Sequence, residues 1–302
     1  MDFKATWQLV RTAAASWSDD YAPSMGAALS YYTLFSIAPL LLIVIAVAGL
    51  VFGAEAARGE IMAQLRDLMG EQGARAVQTM LQAASQPEKS ALATLTGVVF
   101  LLIGATTVFA ELQNALDRIW RAPARHRGGI WRLLRARLLS FGMILGIGFL
   151  LMVSLVASAA LSALGRWWGP MFSHWELLGR AIDMGVGFAM TTLGFALIYK
   201  IMPRVHIRWR DVWTGAAVTA LLFTIGKLAI GLYIGKSGVT SVFGAAASFA
   251  VLLVWVYYSA QIFLMGAEFT WVYAHTFGSL KGQPMPPSRH VPTRSEDAGG
   301  LP

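Results

Sequence analysis

The chain has 302 residues, of which 56% are hydrophobic and 13% charged, with Lys and Arg exceeding Asp and Glu by 8 and no cysteine. Soluble domains carry about 25% charged residues, so these values, with a mean hydropathy of +0.58, exclude an ordinary soluble globular protein and indicate an integral membrane protein. The missing cysteine excludes disulfides, thiolate metal sites and cysteine nucleophiles.

In chain order, Lys4 to Trp17 reads as a short amphipathic helix, with Trp7, Leu9, Val10 and Ala14 available to lie on the inner leaflet. Ala27–Phe52 is the first segment able to span a bilayer, which takes about 20 mostly apolar residues. It is too long, and starts too far from Met1, for a cleaved signal core, so an uncleaved span is expected. Its second half is almost pure hydrocarbon; its first half carries Ser30, Tyr31, Tyr32, Thr33 and Ser36, then Pro39. In the loop 53–92, Ile61, Leu65 and Leu68 recur at helical spacing, as do Val77, Met80 and Leu81, predicting two short outer helices. Further spans follow at Ala93–Gln113, Leu138–Leu164, Leu178–Tyr199, Val212–Ile234 and Gly244–Tyr273. The loop 114–137 is basic, and residues 278–302, rich in Pro, Gly and Ser, are expected to be a disordered tail. The fold expected is thus all-α, a polytopic membrane helical bundle of six transmembrane helices forming one domain over residues 1–277.

Charge orients this bundle. With both termini inside, 16 of the 24 Lys and Arg residues fall on the cytoplasmic side and 7 outside, Lys227 lying within a span. The positive-inside rule therefore favours N-in, C-in. Tryptophans cluster near span ends, as amphipathic rings do at the interface.

Soluble-enzyme constellations are missing: the five histidines are scattered without metal-ligand spacing, and no phosphate-cradling loop occurs. No catalytic residue, metal or cofactor is assigned. Polar groups at membrane depth carry more information, because they are costly there and face interiors or cavities. On span one, Ser30, Tyr32 and Ser36 share a broad face near the inner end. On span six Gln261 and Glu268 share a face, and Glu111 and Asn114 stand at the inner end of span two. These seven residues define an expected inward-opening polar cavity, with interhelical hydrogen bonding as the plainer alternative. Pro39 is the candidate hinge, since it frees a backbone carbonyl one turn back. Arg118, Arg121, Arg125 and Arg127 are expected to contact anionic lipid, each basic group near a membrane surface contributing about 1 kcal/mol. Nucleic acid is the disfavoured partner for that run. Near the outer ends of spans four and five, Asp183 and Lys227 are a possible ion pair, with Lys227 reaching alone to the interface as the alternative.

The segments GAALSYYTLFSIAPLLL, ELQNALDRIWRAP, the linker from Pro203 to Val212, and SVFGAAASFAVLLVWVYYSAQIFLMGAEFT together resemble the YihY/virulence factor BrkB family of bacterial inner-membrane proteins, over roughly residues 5–275. The resemblance implies six spans with cytoplasmic termini. It also implies that Tyr31, Tyr32, Ser36, Pro39, Glu111, Asn114, Trp120, Gly244, Trp255, Tyr257, Gly266 and Glu268 fall on motif positions. Some members carry an old ribonuclease BN label, which the lack of a clustered metal site does not favour. An envelope or lipid transport theme suits a bundle with a polar inner cavity beside a basic surface helix.

The expected function is therefore a transporter or flippase-like inner-membrane protein for an anionic amphiphile or lipid, with Glu111 and Glu268 contacting a cation, a proton or the substrate. The alternatives are a membrane-bound ribonuclease and a non-transporting envelope assembly factor. Membrane lipids are the expected partners, and a homo-oligomer is compatible with the sequence.

Overall fold

The computed structural model describes residues 3–84, 107–123, 142, 175–236 and 246–286. These residues form seven helices and no strand: α1 (Phe3–Asp19), α2 (Ala22–Phe52), α3 (Ala54–Ala84), α4 (described over 107–119), α5 (Trp175–Ile201), α6 (Trp209–Lys236) and α7 (Ala247–Thr276). Within α2, α5, α6 and α7, the segments Ala22–Leu50, Met184–Ile201, Trp209–Ile234 and Phe249–Thr276 are long and apolar enough to cross a membrane. The expected span Leu138–Leu164 lies outside the described residues apart from residue 142, and Ala93–Gln113 is described only from residue 107.

α7 is the central helix. It packs on α1, α2, α3 and α6. It comes close to α5 and α6 together at Gly266, where a Cβ would lie 2.0 Å from Thr219 Oγ1 and 2.7 Å from the Tyr199 hydroxyl. Absence of a side chain is what allows three helices to meet there, since bilayer bundles associate by close packing rather than by a hydrophobic driving force. The fully buried Tyr199 donates its hydroxyl proton to the Phe263 carbonyl at 2.7 Å and stands 3.1 Å from Thr219 Oγ1.

α2 follows α1 through a sharp elbow. Tyr21 adopts left-handed backbone geometry (φ 57°), and Pro23 begins the new helix, where its missing N–H costs nothing. α2 then runs unbroken through Pro39. At Gly53 the chain turns back immediately into α3. The two expected helices of this region are present, joined at Gly70 (φ 75°), a conformation that glycine adopts without steric cost. Ile61, Met62, Leu65, Met69, Val77 and Leu81 bury against Ile37, Ile45, Leu252 and Val256, so α3 lies along α2 and α7.

The far end of the molecule is tied by polar clips. The α4 side chain Gln113 donates to the Met202 carbonyl at 2.9 Å, and Asp117 accepts the Arg204 backbone N–H at 2.8 Å. After α7 the chain makes a turn in which the Ser279 hydroxyl donates to Asp211 at 2.5 Å, with the Ser279 N–H 3.2 Å from the same oxygen. Leu280 packs on the core beside it. Residues 277–283 thus form a turn at the start of the expected tail; residues 287–302 lie outside the described residues.

Candidate functional site: a buried charge cluster and an open cleft

Two polar sites stand at the end of the bundle where α1, α2, α4 and α7 meet. The first is buried. Asp20, at the α1–α2 elbow, is 2% exposed and forms an ion pair and hydrogen bond with Arg121 Nη1, whose side chain is 8% exposed. Arg121 directly follows the α4 turn and has left-handed geometry (φ 52°). Its Nη1 also donates to the Ile119 carbonyl at 2.9 Å, its Nε to the Pro286 carbonyl at 3.4 Å, and its guanidinium lies 4.4 Å from the Trp271 ring centre. A cation against an indole face is attracted by the ring quadrupole, more strongly once desolvated.

Glu268 belongs to this cluster. It is one turn before Trp271 on α7 and wholly inaccessible. Its carboxyl is close enough to interact with those of Asp20 and Asp19 and with Arg121, yet neither Glu268 oxygen completes a hydrogen bond of normal geometry. Beyond Arg121 and Trp271 lies a second cavity of about 220 Å³, lined in part by Trp120, His206, His275 and Ser279.

The second site is open. Glu111, Asn114, Ala115 and Arg118 of α4 face Ser24, Met25 and Ala28 of α2 across a cleft of about 200 Å³. Among the described residues neither Glu111 nor Arg118 forms an ion pair. One carboxylate, one guanidinium and one amide share a floor of Met and Ala, an arrangement suited to a small charged headgroup.

The seven expected cavity residues are divided between these sites and the helix interiors. Glu111 and Asn114 share the open cleft; Glu268 joins the buried cluster. Gln261 lies over Gly26, whose Cβ would fall 2.0 Å from Gln261 Nε2, and both amide atoms of Gln261 are buried without a hydrogen-bond partner. Ser30 and Ser36 turn inward on their own helix, donating to the Ala27 carbonyl at 2.8 Å and the Tyr32 carbonyl at 2.6 Å. Tyr32 is partly buried and packs edge-on against Tyr31, ring centres 5.6 Å apart.

Two expectations are corrected by the geometry. Arg121 is not a surface lipid contact, because its guanidinium is enclosed and its charge is met by Asp20. Lys227, expected to pair with Asp183 or else to reach alone to the interface, forms an ion pair with Asp67 of α3, Nζ to Oδ2 at 2.9 Å. The Asp183 side chain, and Arg125 and Arg127, lie outside the described residues. Asp20 was not singled out from sequence; its position just ahead of the first apolar segment was the available signal. Asp117 was likewise missed as a clip. Its carboxyl is held above the usual carboxylate range by burial, against the opposing pull of the Arg204 N–H and guanidinium. No group of three or more His, Asp or Glu side chains that could hold a metal occurs among the described residues.

Comparison with known proteins now bears on this geometry. The family model described as "Virulence factor BrkB" matches residues 13–290. A UPF0761 membrane protein of Pseudomonas aeruginosa (strain LESB58) is 28% identical over 263 residues, 86% of this chain and 61% of the relative. A UPF0761 membrane protein of Alcanivorax borkumensis is 30% identical over 256 residues, covering 83% of this chain and 57% of the relative. The UPF0761 membrane protein of Tolumonas auensis is 30% identical over 179 residues, 58% of this chain and 55% of the relative. The chain therefore spans about three-fifths of the length of such relatives. No solved structure matches it significantly.

Proposed function

The chain belongs to the Virulence factor BrkB family, and from that premise we propose that this membrane protein moves an anionic amphiphile across the bacterial inner membrane, with both termini in the cytoplasm. The observation that carries the reading is the open cleft, in which Arg118 and Glu111 stand without an ion-pair partner among the described residues. Charged groups beside a bilayer are costly unless water, a partner or a ligand meets them. A cleft of about 200 Å³ is smaller than the roughly 300–1,000 Å³ of pockets that enclose whole small molecules. It suits a headgroup whose acyl chains stay in the bilayer. Arg118 binds the anionic oxygens, Asn114 supplies an amide, and Glu111 selects against a doubly charged group or accepts from a hydroxyl. Arg125 and Arg127 gather anionic lipid to the mouth, and Pro39 lets the outer half of α2 bend away from the cleft.

The test is reconstitution into vesicles containing a fluorescent anionic phospholipid, with an impermeant quencher reporting how fast the protected leaflet becomes accessible. Arg118→Ala is expected to slow that exchange at least tenfold while leaving protein folded and inserted. Exchange equal to protein-free vesicles, or an Arg118→Ala rate equal to wild type, would overturn the reading and favour an assembly role.

A further inference from the structure

We propose that Glu268 and Asp20 share a single proton, and that this carboxyl pair is the proton-coupling site of the transporter. The coupling half rests on the transport reading above; the proton site does not.

The inference begins with a count of charge. Two carboxyl groups, Asp20 at 2% and Glu268 at 0% exposure, are enclosed with one guanidinium, Arg121. If both were ionised, the cluster would hold one uncompensated negative charge out of reach of water, a state that groups avoid by neutralising. Arg121 cannot supply the missing compensation. Its Nη1 is committed to Asp20 and the Ile119 carbonyl and its Nε to the Pro286 carbonyl, and no Arg121 donor makes a hydrogen bond to Glu268. The other charged side chain near Glu268 is Asp19, which is exposed to solvent, lies outside the enclosed cluster and offers no positive charge. His275, two turns further along α7, has its Nδ1 2.9 Å from the Trp271 carbonyl. A metal ion would need six or more oxygen ligands if it were a hard divalent cation; two carboxylates, one already tied to Arg121, do not provide them. One proton does balance the charge, and it gives the otherwise unpartnered Glu268 carboxyl a hydrogen bond to Asp20.

The surroundings make this proton movable. Among the described residues two non-glycine residues have positive φ, Tyr21 and Arg121, and both adjoin the cluster. Such conformations are strained for residues with a side chain and persist where packing imposes them. When the elbow between α1 and α2 opens, water reaches the pair, the acid O–H bond breaks, and the proton passes to water. Two carboxylates then face one guanidinium, which holds the elbow open until a proton returns. Binding and release of one proton thereby bias a two-state element, which is what coupling requires.

Infrared difference spectroscopy of the full chain in lipid vesicles tests this without any substrate. The expected result is a protonated-carboxyl C=O band that shifts in deuterated water, shifts again when the protein carries isotopically labelled glutamate or aspartate, and is lost in Glu268→Gln. Glutamine keeps the shape and a donor for Asp20, and the labelling experiment uses wild-type protein, so a misfolded variant does not remove the test. No such band in wild type, a band insensitive to labelled glutamate, or a band abolished by sodium would overturn the proton site. A band that persists while vesicle transport is unaffected by collapsing an imposed proton gradient would overturn the coupling. A band with no transport at all would sink the transport reading alone.

Discussion

Asp20 and Arg121, about a hundred positions apart in the chain, form an ion pair whose side chains are 2% and 8% exposed. The pair fastens the α1–α2 elbow to the end of α4 and to the Trp271 face of α7. Removing one partner of a buried pair leaves a stranded charge, a loss of about 3–5 kcal/mol, whereas removing both strands none. Asp20→Asn is therefore expected to lower the thermal midpoint of the detergent-solubilised protein strongly, and Arg121→Gln likewise. The double variant should lose clearly less than the sum. Additive losses in a thermal double-mutant cycle would show that the two side chains do not act as a pair.

The Lys227–Asp67 pair makes the opposite case. The separation is 2.9 Å, but the side chains are 27% and 70% exposed. Exposed pairs contribute about 0–1 kcal/mol. Lys227→Met should shift the midpoint little, and raising salt should not change that result. The geometry is better tested by proximity: with no native cysteine in the chain, cysteines introduced at positions 67 and 227 should be joined by a short bifunctional reagent. Failure to cross-link would separate α3 from α6.

How much of this was legible beforehand follows from the range over which each feature is encoded. The spans within α2, α5, α6 and α7 are written locally, as about 20 apolar residues each. The buried face of α3 is also local, in the spacing of Ile61, Leu65, Val77 and Leu81. Its break at Gly70 is not, because Gly70 and Gly73 offer two positions and no proline marks either. Ser30 and Ser36 were read as cavity groups, but a hydroxyl in a helix can bond its own backbone a turn earlier, and both do. Nothing in the one-dimensional pattern separates those outcomes. The buried cluster was least legible: Asp20, Arg121 and Glu268 come from three elements, and only the common depth of their helix ends brought them into one slab. Lys227 found its partner 160 residues away, a relationship that periodicity does not encode.

Gly266 makes a prediction about packing. A Cβ there would collide with Thr219 Oγ1 at 2.0 Å and with the Tyr199 hydroxyl at 2.7 Å. Gly266→Ala must displace α7 or push aside Thr219 and the Tyr199 hydroxyl, and overpacking of this kind costs about 1–3 kcal/mol. Gly266→Leu should be worse and should reduce the folded yield. Thr219→Ala combined with Gly266→Ala removes the nearest obstacle, so the pair should be non-additive, as neighbours in contact usually are. A wild-type midpoint for Gly266→Ala in thermal unfolding would mean that the three helices do not meet as closely as described.

Asp117 gives the pH dependence. Burial raises its folded pKa above 3.8, and the Arg204 N–H and guanidinium only partly oppose this. A group whose folded value is raised binds its proton more tightly in the native state, so its contribution to stability is fully present below the unfolded value and lost as pH rises through the folded one. Unfolding midpoints measured at successive pH values should therefore contain a decline that begins near the ordinary carboxylate value and ends above it. Asp117→Asn cannot ionise, and its amide can still accept the Arg204 N–H seen at 2.8 Å. That variant should lose this part of the slope while keeping α4 docked on the loop between α5 and α6. An unchanged slope in Asp117→Asn would mean that Arg204 outweighs burial, and the carboxylate would then be a stabilising partner rather than a strained one.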